Sequence, residues 1–130
     1  MLSVDSLEKL EKCHILLQEL AEKASFYIDF TVFCTYRNEK DQNFAYFNEL
    51  SKLEFPRSAH NKEPVMAFDA YPNPLNWKRI SRFLKLGRIM KEEFTTICKE
   101  ENLKNVELIW GGDFHSFKDY VHFELKINGD

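Results

Sequence analysis

From Ser6 onward, Leu7, Leu10, Leu17 and Ala21 return at helical spacing, with His14 on the same stripe and Glu8, Lys9, Glu11 and Lys12 between them. The pattern predicts one amphipathic opening helix in which His14 is a partly buried structural residue. The stretch from Tyr27 to Thr35 is rich in β-branched and aromatic residues and predicts a strand covered on both faces, with Arg37 just past its end. Residues from Lys40 to Leu50 can form a second helix. Those from Glu54 to Pro64, with two prolines and several polar residues, predict a loop carrying Ser58 and His60. Val65 to Asp69 predicts a short strand, stopped by the turn residues Tyr71, Pro72, Asn73 and Pro74. Asn76 to Glu100 carries apolar residues at helical spacing around Gly87, as one long helix or two broken near that glycine. Val106 to Trp110 and Tyr120 to Ile127 are the closing strands, joined by a loop that begins Gly111-Gly112-Asp113. Late strands without a helix between them predict an α+β fold: a small, mainly antiparallel sheet with flanking helices.

Composition narrows the class. A chain of 130 residues, 44% hydrophobic with 12 phenylalanines, fills one core and is too short for two ordinary domains, so residues 1–130 are expected to form a single domain. Lys plus Arg total 18 against 21 for Asp plus Glu, a net charge of -3 with no basic stripe, which argues against a nucleic-acid partner. Cys13, Cys34 and Cys98 are odd in number and widely spaced, and are expected to be core thiols of a chain made in a reducing cytoplasm. The N-terminus lacks the basic and apolar regions of a secretory signal. No run approaches the ~20 apolar residues of a membrane-spanning helix. The expectation is a protein made in the cytoplasm without a signal peptide and not inserted in a membrane.

The candidate chemistry lies in two separated segments, Ser58, His60 and Asp69 in one and Asp119 and His122 in the other. A closed structural zinc site normally takes four side chains, often cysteines, whereas a hydrolytic site takes three and leaves one position open. His60, Asp69 and His122 can supply three. Asp119, three residues before His122, can reach the site without ligating, which is where a general base belongs. Glu124 shares a strand face with His122 and is either the base itself or a partner for a ligand's other ring nitrogen. Trp77 and Trp110 are expected in the core, and the charge-rich groups around Glu92 and Glu100 on solvated helix faces.

These residues carry a resemblance. Arg57-Ser58-Ala59-His60-Asn61, Pro64, Ala67-Phe68-Asp69, Tyr71-Pro72 and Asn76-Trp77 resemble the first zinc motif of phage endolysins of the D-alanyl-D-alanine carboxypeptidase superfamily. Trp110-Gly111-Gly112-Asp113, Phe117, Asp119 and His122-Phe123-Glu124 resemble the closing motif of its L-alanyl-D-glutamate endopeptidases, as do Arg37 and Gln42 upstream. The resemblance runs from about Ser6 to Leu125. It implies a fold of the hedgehog and D,D-peptidase kind with the site at strand ends, one zinc ion on His60, Asp69 and His122, and Asp119 as general base. It also implies that Arg37 faces the scissile carbonyl, with Ser58 and Gln42 orienting His60 or the substrate. The implied function is a phage lysis enzyme that cuts the peptidoglycan stem peptide between L-alanine and D-glutamate. Such an enzyme would act as a monomer once released to the wall, with a separate pore-forming protein opening the path.

Three departures stand out. His60 and Asp69 are nine positions apart, with Pro64 between, which marks a longer-loop subtype. Glu49 stands where relatives commonly have glycine before Ser51-Lys52-Leu53. His115 stands where a lysine or another polar residue is usual. The alternatives are a D,D-carboxypeptidase or dipeptidase of the same superfamily, and a non-catalytic cell-wall-binding module that keeps zinc for stability. Asp119 argues against the second, because a structural site has no need of an adjacent base.

Overall fold

The sheet is built from both ends of the chain. In the computed structural model, which describes residues 1–129, β1 (Phe30–Cys34), β2 (Ala67–Pro72), β3 (Val106–Trp110) and β4 (His122–Ile127) form one sheet in the order β1-β2-β4-β3. Every neighbouring pair is antiparallel. The helices are α1 (Val4–Leu10), α2 (Ile15–Ala24), α3 (Glu39–Phe47) and α4 (Ile80–Glu100). The α+β class and antiparallel sheet expected from the sequence are therefore present. Among the described residues no helix is long and apolar enough to cross a membrane.

Alternation along the strands separates a packed face from a working face. Phe68 and Ala70 of β2 and Phe123 and Leu125 of β4 are buried with Phe30 and Val32 of β1. They pack with Leu17, Leu20 and Ala21 of α2 and Leu86, Met90 and Ile97 of α4. Burying each of the larger side chains among these stabilises the fold by about 1.5–3 kcal/mol. Asp69, His122 and Glu124 occupy the alternate positions and so face the other way.

Several boundaries differ from the expected ones. The opening segment is two helices, because Lys12 to His14 leave the helical ladder to pair with the chain before β2. His14 N donates to Val65 O at 3.0 Å and Val65 N to Lys12 O at 2.9 Å. His14 is thereby an N-cap rather than a stripe residue, its Nδ1 accepting from Leu16 N at 3.1 Å. The first strand is shorter than predicted and lies at a sheet edge, so Phe33 is exposed instead of covered. β2 runs on to Pro72, beyond the expected stop, and β4 begins only at His122. α4 is a single helix through Gly87, where a Cβ would collide with the Trp110 indole. Trp110 is in the core, but Trp77 is exposed and stacks on Phe83 with centroids 5.6 Å apart. Of the cysteines, only Cys13 is fully buried.

The end of α3 explains the unusual Glu49. Leu50 N donates to Ala45 O at 2.8 Å and Glu49 N to Tyr46 O at 3.2 Å, the paired bonds of a Schellman stop. That motif needs a left-handed residue, and Glu49 has φ 59°. A side chain there costs about 1–2 kcal/mol relative to glycine. Glu49→Gly is therefore expected to raise stability by about 0.5–1 kcal/mol, after the entropy cost of glycine in the unfolded chain. The melting temperature should rise by about 2–4 °C, measured by calorimetry.

Candidate functional site

The sheet sets out three of the polar side chains in one row. Asp69 is paired with Cys34 on β1 on one side and with His122 on β4 on the other. The register of β1 slips between Val32 and Cys34, and this bulge turns the thiol to the same face as Asp69. His60 comes from elsewhere, on a single 3-10 turn spanning Ala59–Asn61. Ser58 caps that turn. Its Oγ accepts from His60 N at 3.2 Å, and Asn61 Oδ1 accepts in return from Ser58 N at 3.0 Å. Ser58 thus fixes the backbone of His60 rather than its ring.

Both imidazoles present one ring nitrogen to the same oxygen. His60 Nε2 lies 3.3 Å and His122 Nδ1 3.2 Å from Asp69 Oδ1, and the ring centroids are 5.2 Å apart. Their other nitrogens are already occupied. His60 Nδ1 donates to Thr35 O at 2.7 Å, since a carbonyl can only accept. His122 Nε2 donates to Glu124 Oε1 at 2.8 Å. These partners fix the tautomer that each ring adopts once neutral, with its lone pair facing inward, the orientation seen around metal ligands. Two imidazole nitrogens and a carboxylate oxygen converging in this way form a donor set suited to zinc, and the residues present fit such an ion. Glu124 thereby sits behind His122 rather than in the position of a free base.

Burial alone would pull the proton affinity of both histidines down. The Asp69 carboxylate reverses this, pushing His60 up to about 10 with Cys34 assisting, and His122 up to about 9 with Glu124 assisting. Asp69 is driven well below the usual carboxylate range: burial opposes this, but hydrogen bonds from His122 and then His60 prevail. Near pH 7 both rings then carry a second proton facing Asp69, where a metal cation would replace it. Zinc loading at pH 7 is expected to release close to two protons per ion, and affinity should rise as pH climbs towards 9–10. Calorimetry in buffers of different ionisation enthalpy measures this, and loading without proton release would contradict it.

Around this set lies a cleft of about 420 Å³, lined among others by Arg37, Lys52, His60, Asp69, Phe117, Asp119, His122 and Glu124. Asp119 is half-buried in its wall and, among the described residues, makes no ion pair with either histidine. Its backbone is tightly placed: Asp119 N donates to Gly111 O at 2.9 Å, and His122 N donates to Asp119 O at 3.1 Å. A Cβ at Gly111 would strike the Asp119 carbonyl, so that glycine is needed for the close approach. Burial raises the proton affinity of the Asp119 carboxyl, and the nearby Asp69 charge raises it further, against smaller opposing contributions from His122, His60 and the Val121 amide. A larger cavity of about 660 Å³ between α4 and β3 contains none of these residues.

Arg37 is held against the same carboxylate. Its N donates to His60 O at 2.7 Å, its Nη1 to Gln42 Oε1 at 2.9 Å, and its Nη2 lies 3.8 Å from Asp69 Oδ2. Gln42 is fully buried and also donates to Ser51 Oγ at 2.9 Å and Leu53 O at 2.6 Å. It therefore orients Arg37 and the Ser51–Leu53 segment, and among the described residues it makes no hydrogen bond to the His60 ring. His115 is exposed and outside the cleft lining.

Sequence reasoning did not find Cys34, Asn61 or Lys52 as parts of the site. Cys34, His60 and Asp69 offer ligand atoms that all lie within 4.8 Å of one another, whereas His60 and His122 are joined through their shared contact to Asp69 Oδ1. Two contacts weigh against Cys34 as part of the metal set. The sulfur is 3.9 Å from His60 Nδ1, which Thr35 O already engages, and the Arg37 guanidinium approaches it at 3.7 Å. The sulfur is thus already engaged as an acceptor by the guanidinium. No signal in the sequence alone reveals Cys34, because the strand bulge aims it.

The sequence profile of a peptidase family described as D-alanyl-D-alanine carboxypeptidase matches residues 56–125, more than half of the chain. The matched stretch contains Ser58, His60, Asp69, Asp119, His122 and Glu124. No curated protein matches the sequence. Among solved structures, the chain is similar to the Serratia marcescens L-Ala D-Glu endopeptidase ChiX, with a TM-score of 0.78 at 21% identity over 97% of this chain and 90% of that one. At that identity the likeness shows a shared fold.

Proposed function

The chain belongs to the D-alanyl-D-alanine carboxypeptidase family and is a metallopeptidase directed at peptidoglycan, and from that premise we propose that it cuts the stem peptide between L-alanine and D-glutamate. The observation that carries the reading is the convergence of His60 Nε2, Asp69 Oδ1 and His122 Nδ1, with an unligated carboxylate, Asp119, in the wall of the same cleft. The fold shared with an endopeptidase of that bond supports the choice of bond. The resemblance of both motifs to phage endolysins supports a role in phage lysis.

His60, Asp69 and His122 would hold one zinc ion. When bound, zinc would supply a Lewis acid that acidifies the attacking water and polarises the scissile carbonyl. Asp119 takes the proton from that water, a role helped by its raised proton affinity, and returns it to the leaving amine. Arg37, fixed by Gln42 and aligned beside Asp69, donates to the oxyanion that develops on the carbonyl. Glu124 and the Thr35 carbonyl keep the two imidazoles in register.

Arg37→Lys keeps the charge but loses the planar fork. We expect turnover to fall about 10- to 100-fold while zinc content and KM stay close to native. A raised KM with normal turnover would instead assign Arg37 to ground-state binding of a substrate carboxylate.

The family description itself favours a second reading, removal of the terminal D-alanine. Incubating zinc-loaded protein with purified peptidoglycan separates the two. New D-glutamate amino termini are expected, whereas free D-alanine without new termini would establish the carboxypeptidase.

A further inference from the structure

Apart from the two histidines, Arg37 and Lys52 are the cationic side chains in the cleft lining, and their commitments differ. Arg37 is occupied by Gln42, Cys34 and Asp69. Lys52 stands exposed at the mouth, and among the described residues it makes no ion pair. Its Nζ lies 5.1 Å from the centroid of the Phe117 ring, on the loop before β4. The side chain therefore spans the mouth from the α3 side to the opposite wall. A cation over an aromatic face at an exposed site is held weakly, and a carboxylate entering the cleft can take it over.

The root of Lys52 is as well placed as its tip is free. The Schellman stop at Glu49 starts the segment, and Gln42 Nε2 holds it on both sides of Lys52, donating to Ser51 Oγ and Leu53 O. The same glutamine anchors Arg37, so Lys52 is positioned relative to Arg37 and Asp69. The cleft lining also includes the apolar side chains of Leu50, Leu53, Phe114 and Phe117, the last of them against the ammonium. Deeper in, Asp69 and Glu124 are matched by His60, His122 and Arg37, so the floor offers no unpaired cation to a second anion.

In a γ-linked D-glutamyl residue the α-carboxylate is free and sits on the carbon that bears the scissile nitrogen. A peptide bound for cleavage at that nitrogen places this anion in the cleft, where the deeper cations are already paired and it needs one that is not. We propose that Lys52 is the specificity residue that pairs with this carboxylate, released from Phe117 as substrate enters. The proposal rests on the endopeptidase reading above and names the substrate group which that reading leaves unrecognised.

Two synthetic stem peptides test it, one with the free D-glutamate α-carboxylate and one with the α-amide. Zinc-loaded native protein should cleave the acid with kcat/KM about tenfold above the amide, the difference lying in KM. Lys52→Gln should reduce the preference to about twofold or less with zinc content and turnover retained, and Lys52→Arg should restore it. A Lys52→Gln protein that keeps the tenfold preference, or a native protein that cleaves both peptides equally, would overturn the proposal. Equilibrium binding to the Asp119→Asn protein, with and without Lys52→Gln, separates this from the choice of bond. If native protein cuts neither peptide yet Asp119→Asn binds the acid more tightly in a Lys52-dependent manner, the anchor stands and the bond assignment fails. Equal binding of acid and amide removes the anchor.

Discussion

His122→Ala is expected to lose zinc and, with it, all measurable wall hydrolysis. The substitution removes one of the two imidazole nitrogens aimed at Asp69 Oδ1 and leaves Glu124 without the partner it holds at 2.8 Å. Loss of a mere supporting contact to a metal ligand costs about 10- to 100-fold in affinity, and loss of the ligand itself should exceed that. His60→Ala should behave alike, with an added loss of stability, because His60 is buried and bonded to Thr35 O. Zinc stoichiometry by elemental analysis and the melting temperature with and without metal measure both effects. Native zinc content in both variants would remove these histidines from the ligand set. Because the ligands join β2, β4 and the 3-10 turn, chelation of native protein should also lower its melting temperature.

Asp119→Asn should separate proton transfer from metal binding. The amide preserves shape, and the Asp119 backbone bonds to Gly111 and His122 do not depend on the carboxyl. Zinc content and fold should stay native while turnover falls about 100- to 10,000-fold, the usual cost of losing a general base. The acid limb of the native activity profile should lie above the ordinary carboxylate range, because burial and the Asp69 charge favour the protonated form that cannot act as base. Full activity in this variant would transfer the role to Glu124, whose present bond to His122 Nε2 would then have to open.

The residues of the candidate site were legible as identities because histidines and aspartates in two ordered motifs have few other uses together. Their supports were less so. The sheet rung that sets Cys34 beside Asp69 depends on a bulge in β1, a backbone irregularity that no periodicity reports. The split between α1 and α2 depends on Val65, some fifty residues further on, whose backbone pairs with Lys12 and His14. Local helical spacing cannot register so distant a partner. Trp77 was misplaced for a related reason: an indole can stack on Phe83 and still face solvent, and composition alone does not distinguish the two. Glu49 is the converse case. The missing glycine was visible in the sequence, and the structure shows the left-handed turn kept in spite of it.

We propose that His60, Asp69 and His122 hold a catalytic zinc ion while Cys34, close as it is, does not. X-ray absorption spectroscopy of the zinc-loaded protein tests this most directly, since sulfur and nitrogen scatter at different distances. The expected spectrum has nitrogen and oxygen donors at about 2.0–2.2 Å, two of them imidazole, and no sulfur. A sulfur scatterer at about 2.3 Å that vanishes in Cys34→Ser would place the metal on Cys34, His60 and Asp69, and would contradict the account.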